Sequence, residues 1–122
     1  MSSIALGVTN FMRTRKLENL LNSVSPDLID RVIIADNGRI GKKESNLYER
    51  DWGFNTTILD LPYDSGIGLC RHRIAEELHE DYLLAVDNDM TLPDNIKKLY
   101  YLMERKPSLG GLGGVLLEEG II

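Results

Sequence analysis

The sequence predicts an α/β fold, a mostly parallel sheet of about five strands with helices on both faces. Three observations carry this. Short apolar and β-branched runs alternate along the chain with longer stretches of helical spacing. The run Tyr82-Leu83-Leu84-Ala85-Val86 is apolar at nearly every position, the pattern of a strand covered on both faces. The stretches between runs are long enough for crossover helices, which join parallel neighbours with a right-handed turn.

The elements follow in order. Residues 4–9 form an apolar strand. Residues 12–24 carry Leu17, Leu20, Leu21 and Val24 at helical spacing, and Ser25-Pro26 ends that helix. Arg31 to Asp36 is a β-branched strand, and Asn37-Gly38 is a strong turn signal. Residues 39–46 form a polar loop leading to a short helix near Leu47. Residues 55–61 are a third strand, and residues 62–68 a loop with two glycines. Residues 69–79 are a helix with Cys70, Ile74 and Leu78 on one face, and residues 82–87 are a fourth strand. Pro93 opens a helix containing Ile96, Leu99, Tyr100 and Met103, since proline suits a first helical turn. Pro107 breaks the chain, and residues 112–117 are a fifth strand after a glycine-rich stretch. The whole reads as one domain, residues 1–122. Its apolar end, Ile121-Ile122, directly after a strand suggests the N-terminal part of a larger domain. An exposed edge there would favour self-association.

Composition excludes several classes. With 43% hydrophobic and 27% charged residues in 122, the chain can bury a core. A net charge of −5 argues against a general nucleic-acid binder. Basic clusters at Arg13-Thr14-Arg15-Lys16 and Arg71-His72-Arg73 still leave room for anionic ligands. No apolar run reaches the roughly 20 residues of a membrane span. The single cysteine, Cys70, cannot make an internal disulfide and falls on the apolar side of a helix. No signal peptide is visible, so the expected location is cytoplasmic.

The chemistry gathers at strand ends. Asp36, Asp60 and Asp87 stand at or just before the ends of three strands, which line one rim of a parallel sheet. Each alone also fits a turn or cap. In extended backbone Asp87 and Asp89 would project together, and paired carboxylates are tolerable around a cation such as Mg²⁺ or Mn²⁺. The segment Asp64-Ser65-Gly66-Ile67-Gly68-Leu69-Cys70-Arg71 adds the opposite charge. Ser65 or Asp64 can cap the following helix, glycines admit a ligand close to the backbone, and free N–H groups with Arg71 suit phosphates. It is neither a dinucleotide fingerprint nor a P-loop.

Four blocks in this order carry a resemblance: Thr9-Asn10-x-x-Arg13, Val32-Ile33-Ile34-Ala35-Asp36-Asn37-Gly38, Asp64-Ser65-Gly66-Ile67-Gly68-x-x-Arg71 and Asp87-Asn88-Asp89. Together they resemble family 2-type glycosyltransferases of the GT-A fold, specifically the N-terminal, nucleotide-sugar half of such an enzyme. The resemblance implies a Rossmann-like nucleotide-diphospho-sugar transferase that uses Mn²⁺ or Mg²⁺, a UDP-sugar donor before others, and an acceptor of unknown identity. It implies that Thr9, Asn10 and Asp36 hold the nucleoside, with Asp36 meeting the base, and that Arg13 and Gly66 belong to the same substrate-binding set. Arg71 would serve base and diphosphate, Asp87 and Asn88 the ribose, and Asp89, with Asp87 beside it, the metal. The family's general base lies in the acceptor half, so no catalytic residue is assigned here. The chain departs from the family in Thr9-Asn10-Phe11-Met12 after the first strand, in Asn37 and in His72. Rival readings are a non-catalytic nucleotide-binding module of the same fold and a nucleotidyltransferase. A receiver-like domain would need paired acids after the first strand, where Thr9-Asn10 stands.

Overall fold

The structure, a computed structural model, describes residues 2–106 and Gly111. The chain divides into two compact units, Met1–Leu92 and Pro93–Ile122. The first holds four strands, β1 (Ile4–Asn10), β2 (Arg31–Asp36), β3 (Asn55–Asp60) and β4 (Tyr82–Val86), and three helices, α1 (Thr14–Ser23), α2 (Lys42–Tyr48) and α3 (Ile67–Glu77). The described part of the second contains α4 (Lys97–Arg105).

The strands form one parallel sheet in the order β3-β2-β1-β4. From β1 to β3 the chain advances in one direction. It then jumps back past β2 and β1 to place β4. Right-handed crossovers therefore put α1 and α2 on one face and α3 on the other. Side-chain alternation agrees. On the α3 face, Ala5, Ile33 and Ala35 pack with Leu61, Cys70 and Ile74. The intervening residues, Leu6, Val8, Val32 and Ile34, are fully buried on the opposite face, where α1 contributes Leu17, Leu20 and Leu21 and α2 contributes Leu47. The expectation for Cys70 holds: it is core, and burial raises its thiol pKa. At the amino end of the sheet, Arg31 is nearly buried. Its guanidinium donates to Glu80 through Nε (2.7 Å) and Nη2 (2.8 Å), to Glu77 (3.2 Å) and to Thr57 (3.2 Å).

Several boundaries differ from expectation, each for a local reason. Helix α1 begins at Thr14 rather than residue 12, because Met12 has φ 58°, outside right-handed helical space. Helix α3 begins two residues earlier, at Ile67, directly after Gly66. Strand β4 ends at Val86, and a turn closed by Met90 N–H to the Asp87 carbonyl (3.1 Å) follows. Among the described residues β4 is an edge strand, with Leu83 37% exposed. The strands covered on both faces are β1 and β2, because α3 lies against those two. A turn closed by Ile96 N–H to the Pro93 carbonyl (3.2 Å) precedes α4, so the helix starts at Lys97 and not at Pro93. The expected fifth strand lies outside the described residues. No helix among them is long and apolar enough to cross a membrane.

Candidate functional site

The strand order reverses between β1 and β4, and open α/β sheets bind ligands at the carboxyl ends of strands beside such a reversal. Residues predicted from sequence gather there, but on two levels.

The lower level is buried. Asn10 and Asp36 are register partners at the ends of β1 and β2, each no more than 1% exposed. Asn10 Nδ2 donates to the Tyr48 hydroxyl (3.1 Å) and, at the limit of hydrogen bonding, to Asp36 Oδ2 (3.4 Å). The Tyr48 hydroxyl donates to Asp36 Oδ2, and Gly38 N–H donates to Asp36 Oδ1 (2.9 Å). Asn10 Oδ1 accepts from Asn88 Nδ2 (3.0 Å) and from the backbone N–H of Arg13 (3.3 Å). Burial first, then the hydrogen bond to Asp36, pushes the Tyr48 phenol far above its usual pKa, so it keeps its proton. Asn37 is buried as well. Its carbonyl accepts from Asp64 N–H (2.7 Å), and its amide, turned so that the nitrogen donates to the Asn10 carbonyl (3.3 Å), accepts from Gly66 N–H (3.3 Å). The loops after β1, β2 and β3 are thus tied at one point.

The upper level is open. Arg71, one turn into α3, faces Asp87 at 3.8 Å, and both side chains are more than half exposed. Thr9, Arg71, Asp87 and Met90 rim a pocket of about 390 Å³ whose floor includes Ala85 and Ile74. No side chain caps α3, which corrects the expectation for Asp64 and Ser65. The N-cap is Gly66, with φ 91°, and no atom lies within 4 Å of where a Cβ would stand on Gly66 or Gly68. Ser65 Oγ, buried beside this helix start, has no hydrogen-bond partner among the described residues. Residues 66–69 are exposed and no side chain caps the first N–H groups of α3, an arrangement suited to an anion.

The acidic residues do not converge as expected. Asp36 lies on the α1–α2 side in the buried network, Asp87 turns to Arg71 on the α3 side, and Asp60 is exposed on the far strand. Asp87 and Asp89 lie in a turn, so the two-residue alternation of an extended strand does not align them. Among the described residues no three His, Cys, Asp or Glu side chains come close enough to hold a metal ion. Asp87 and Asp89 are both exposed, and carboxylate oxygens are the kind of ligand a hard divalent cation takes.

Sequence reasoning missed four residues. Tyr48 sits at the end of a short helix with no motif to mark it. Phe11, Arg39 and Tyr63 come from three different loops. The Phe11 and Tyr63 rings lie 5.4 Å apart, and the Arg39 guanidinium stacks 4.8 Å over Tyr63. Met12 (φ 58°), Arg39 (φ 60°) and Asp64 (φ 51°) adopt left-handed backbone on these same loops. Such conformations cost energy for residues other than glycine and cluster at functional sites.

Fold and rim together define a Rossmann-like α/β domain, a parallel sheet with helices on both faces and a strand-order reversal at its carboxyl end. Its solved structural neighbours include TarS of S. aureus. The fragment TarS 1-349 superposes with a TM-score of 0.74 at 15% identity, covering 93% of this chain and 38% of that one. A second TarS structure gives the same TM-score and identity over 98% of this chain and 24% of that one. The likeness establishes the fold, and the chain spans well under half of either neighbour. No family model and no curated protein sequence matches the chain.

Proposed function

We propose that the chain is the donor-binding part of a glycosyltransferase, taking a nucleotide-diphospho-sugar, UDP-sugar before others, and passing the sugar to an acceptor hydroxyl. The observation that carries this reading is the convergence, at the strand-order reversal, of an uncapped α3 start, Arg71 and the Asp87-Asn88-Asp89 turn. Two negative phosphates need donors and positive charge, which the α3 N–H groups and Arg71 can offer. The nucleoside would lie over the Asn10–Asp36 floor, with Thr9 and Arg13 at its edge. Its base would have the exposed rings of Phe11 and Tyr63 within reach. Asp36 acts from beneath in this reading, through Tyr48 and Asn10, because its own carboxylate is covered.

Asp89 and Asp87 would hold Mn²⁺ or Mg²⁺, which neutralises charge on the departing diphosphate. Arg71 and the α3 N–H groups would stabilise the same developing charge. An acceptor hydroxyl would attack the anomeric carbon as the bond to the diphosphate breaks, its proton passing to an Asp or Glu base.

Calorimetric titration of UDP with Mn²⁺ and with chelator tests the reading. Binding should be at least tenfold tighter with metal, and Asp89→Ala should abolish that difference. Equal affinity with and without chelator would remove the metal from the proposal.

A further inference from the structure

The buried network beneath the site has a direction. A carboxylate only accepts hydrogen bonds, so the Tyr48 proton points at Asp36 Oδ2. The phenol oxygen is then free to accept, and it takes the Asn10 NH₂ group at 3.1 Å. That turns the Asn10 carbonyl the other way, toward Asn88 Nδ2 at 3.0 Å and Arg13 N–H at 3.3 Å. Four side chains from β2, α2, β1 and the turn after β4 thus form one polarised chain. It starts at a buried charge and ends across the strand-order reversal. Chains of this kind strengthen bond by bond in a low-dielectric interior.

Asn88 is where the chain meets the open level. It is 7% exposed, whereas its neighbours Asp87 and Asp89 are exposed. Its amide is therefore the buried peg of an otherwise exposed turn.

We propose that Tyr48 is a positioning residue. Its hydroxyl fixes the orientation of the Asn10 amide, and through Asn88 it holds the Asp87-Asn88-Asp89 turn over the end of β1. The consequence for ligands rests on the reading of that turn as a metal and diphosphate site; the structural part does not. Without the hydroxyl, Asp36 Oδ2 keeps only the 3.4 Å contact from Asn10. The Asn10 NH₂ group loses its nearer acceptor, so the amide is free to rotate and present the wrong end to Asn88.

Tyr48→Phe removes one oxygen and keeps the ring. Leu47→Ala, in the same helix, serves as a structural control, since it truncates a core side chain that makes none of the network's hydrogen bonds. In ligand-free protein, NMR should show at least tenfold faster exchange of the Asn88 side-chain amide and shifted backbone signals for Asp87 and Asp89 in Tyr48→Phe. Leu47→Ala should lower Tm yet leave these signals in place. In the presence of Mn²⁺, UDP affinity should fall about tenfold in Tyr48→Phe and stay within twofold in Leu47→Ala. If Tyr48→Phe does not fold, Asp36→Asn, which keeps side-chain size and removes the charge that sets the polarity, carries the same measurements. Unchanged Asn88 signals in a folded variant overturn the proposal. Shifted Asn88 signals with unchanged Mn²⁺–UDP affinity also overturn it, because Tyr48 would then act on structure alone. A wild-type protein that binds no UDP refutes the functional reading instead, and Tyr48 is then decided by the Asn88 signals.

Discussion

Gly38 and Asp36 show how little freedom individual residues have at the rim. A Cβ built on Gly38 would stand 2.8 Å from Met12 N and 3.2 Å from Phe11 Cα, both backbone atoms. Backbone cannot swing aside as a side chain can, so Gly38→Ala must push the loop after β1 outward. A loss of about 1–3 kcal/mol is expected, read as a lower urea midpoint at unchanged slope. The same displacement should weaken UDP binding. Asp36→Asn keeps shape but removes the charge that receives the Tyr48 proton and Gly38 N–H. We expect a stability loss of about 1–3 kcal/mol, the usual result of disturbing a buried charged acceptor. Binding of UDP in chelator should weaken too, since the nucleoside floor is disturbed without any metal being involved. If only the metal-dependent part of the affinity changes, Asp36 serves the cation rather than the nucleoside. The sequence marked Asp36 as an acid at a strand end, and the family resemblance marked Asn10 and Asn88. Neither could mark Tyr48, whose importance comes from a contact made 38 residues away from Asn10.

Among the elements, the two ends of α3 have opposite characters. Its start is uncapped and open, whereas its end is clamped to β2 by Arg31, Glu77 and Glu80. The Glu80 side chain is 5% exposed, and hydrogen bonds from Arg31 hold its pKa at about 2, below the ordinary 4.5. In the unfolded chain Glu80 takes up its proton near the ordinary value, while in the folded chain it resists until about 2. The clamp's contribution is therefore fully present above about pH 4.5 and is lost as pH falls toward 2. A shift of this size corresponds to a few kcal/mol, about 3 at most. Glu80→Gln should lower stability by about 2–3 kcal/mol at pH 7. The gap to wild type should narrow steadily between pH 4.5 and pH 2.5 in urea titrations. A gap that stays constant over that range would show that Glu80 contributes by shape rather than charge. Element order and type were legible because periodicity is local. The edge position of β4 among the described residues was not, since its apolar run reads the same whether a helix covers one face or two.

For the molecule as a whole, the parallel sheet followed from alternation of strands and helices, and the strand-order reversal turned a row of strand ends into one place. What the sequence could not reveal is that Asp36 is buried in the polar network while Asp87 turns to Arg71 on the α3 side, so a shared carboxylate pocket does not form. That dispersal shapes the last prediction. Among the described residues the exposed carboxylates at the carboxyl rim are Asp60, Asp64, Asp87 and Asp89. Asp87 and Asp89 are committed to the cation in the proposed mechanism, and Asp60 lies on the far edge strand. Asp64 sits in a strained loop at φ 51°, its N–H tied to Asn37. None is placed to take a proton from an acceptor while the cation is bound. A positioned base contributes roughly 10²–10⁴-fold to such a transfer, and an ordered acceptor contributes more. The 122-residue chain is therefore expected to bind a UDP-sugar with Mn²⁺ and raise its Tm accordingly. Sugar release in single-turnover assays should nevertheless run at least a hundredfold below the usual enzymatic range of about 1–10³ per second. Adding simple acceptor alcohols at high concentration should raise that rate only in proportion to concentration, without saturation. Saturable, multiple-turnover transfer by this chain would require a base among its own residues, and Asp64 would be the first to substitute.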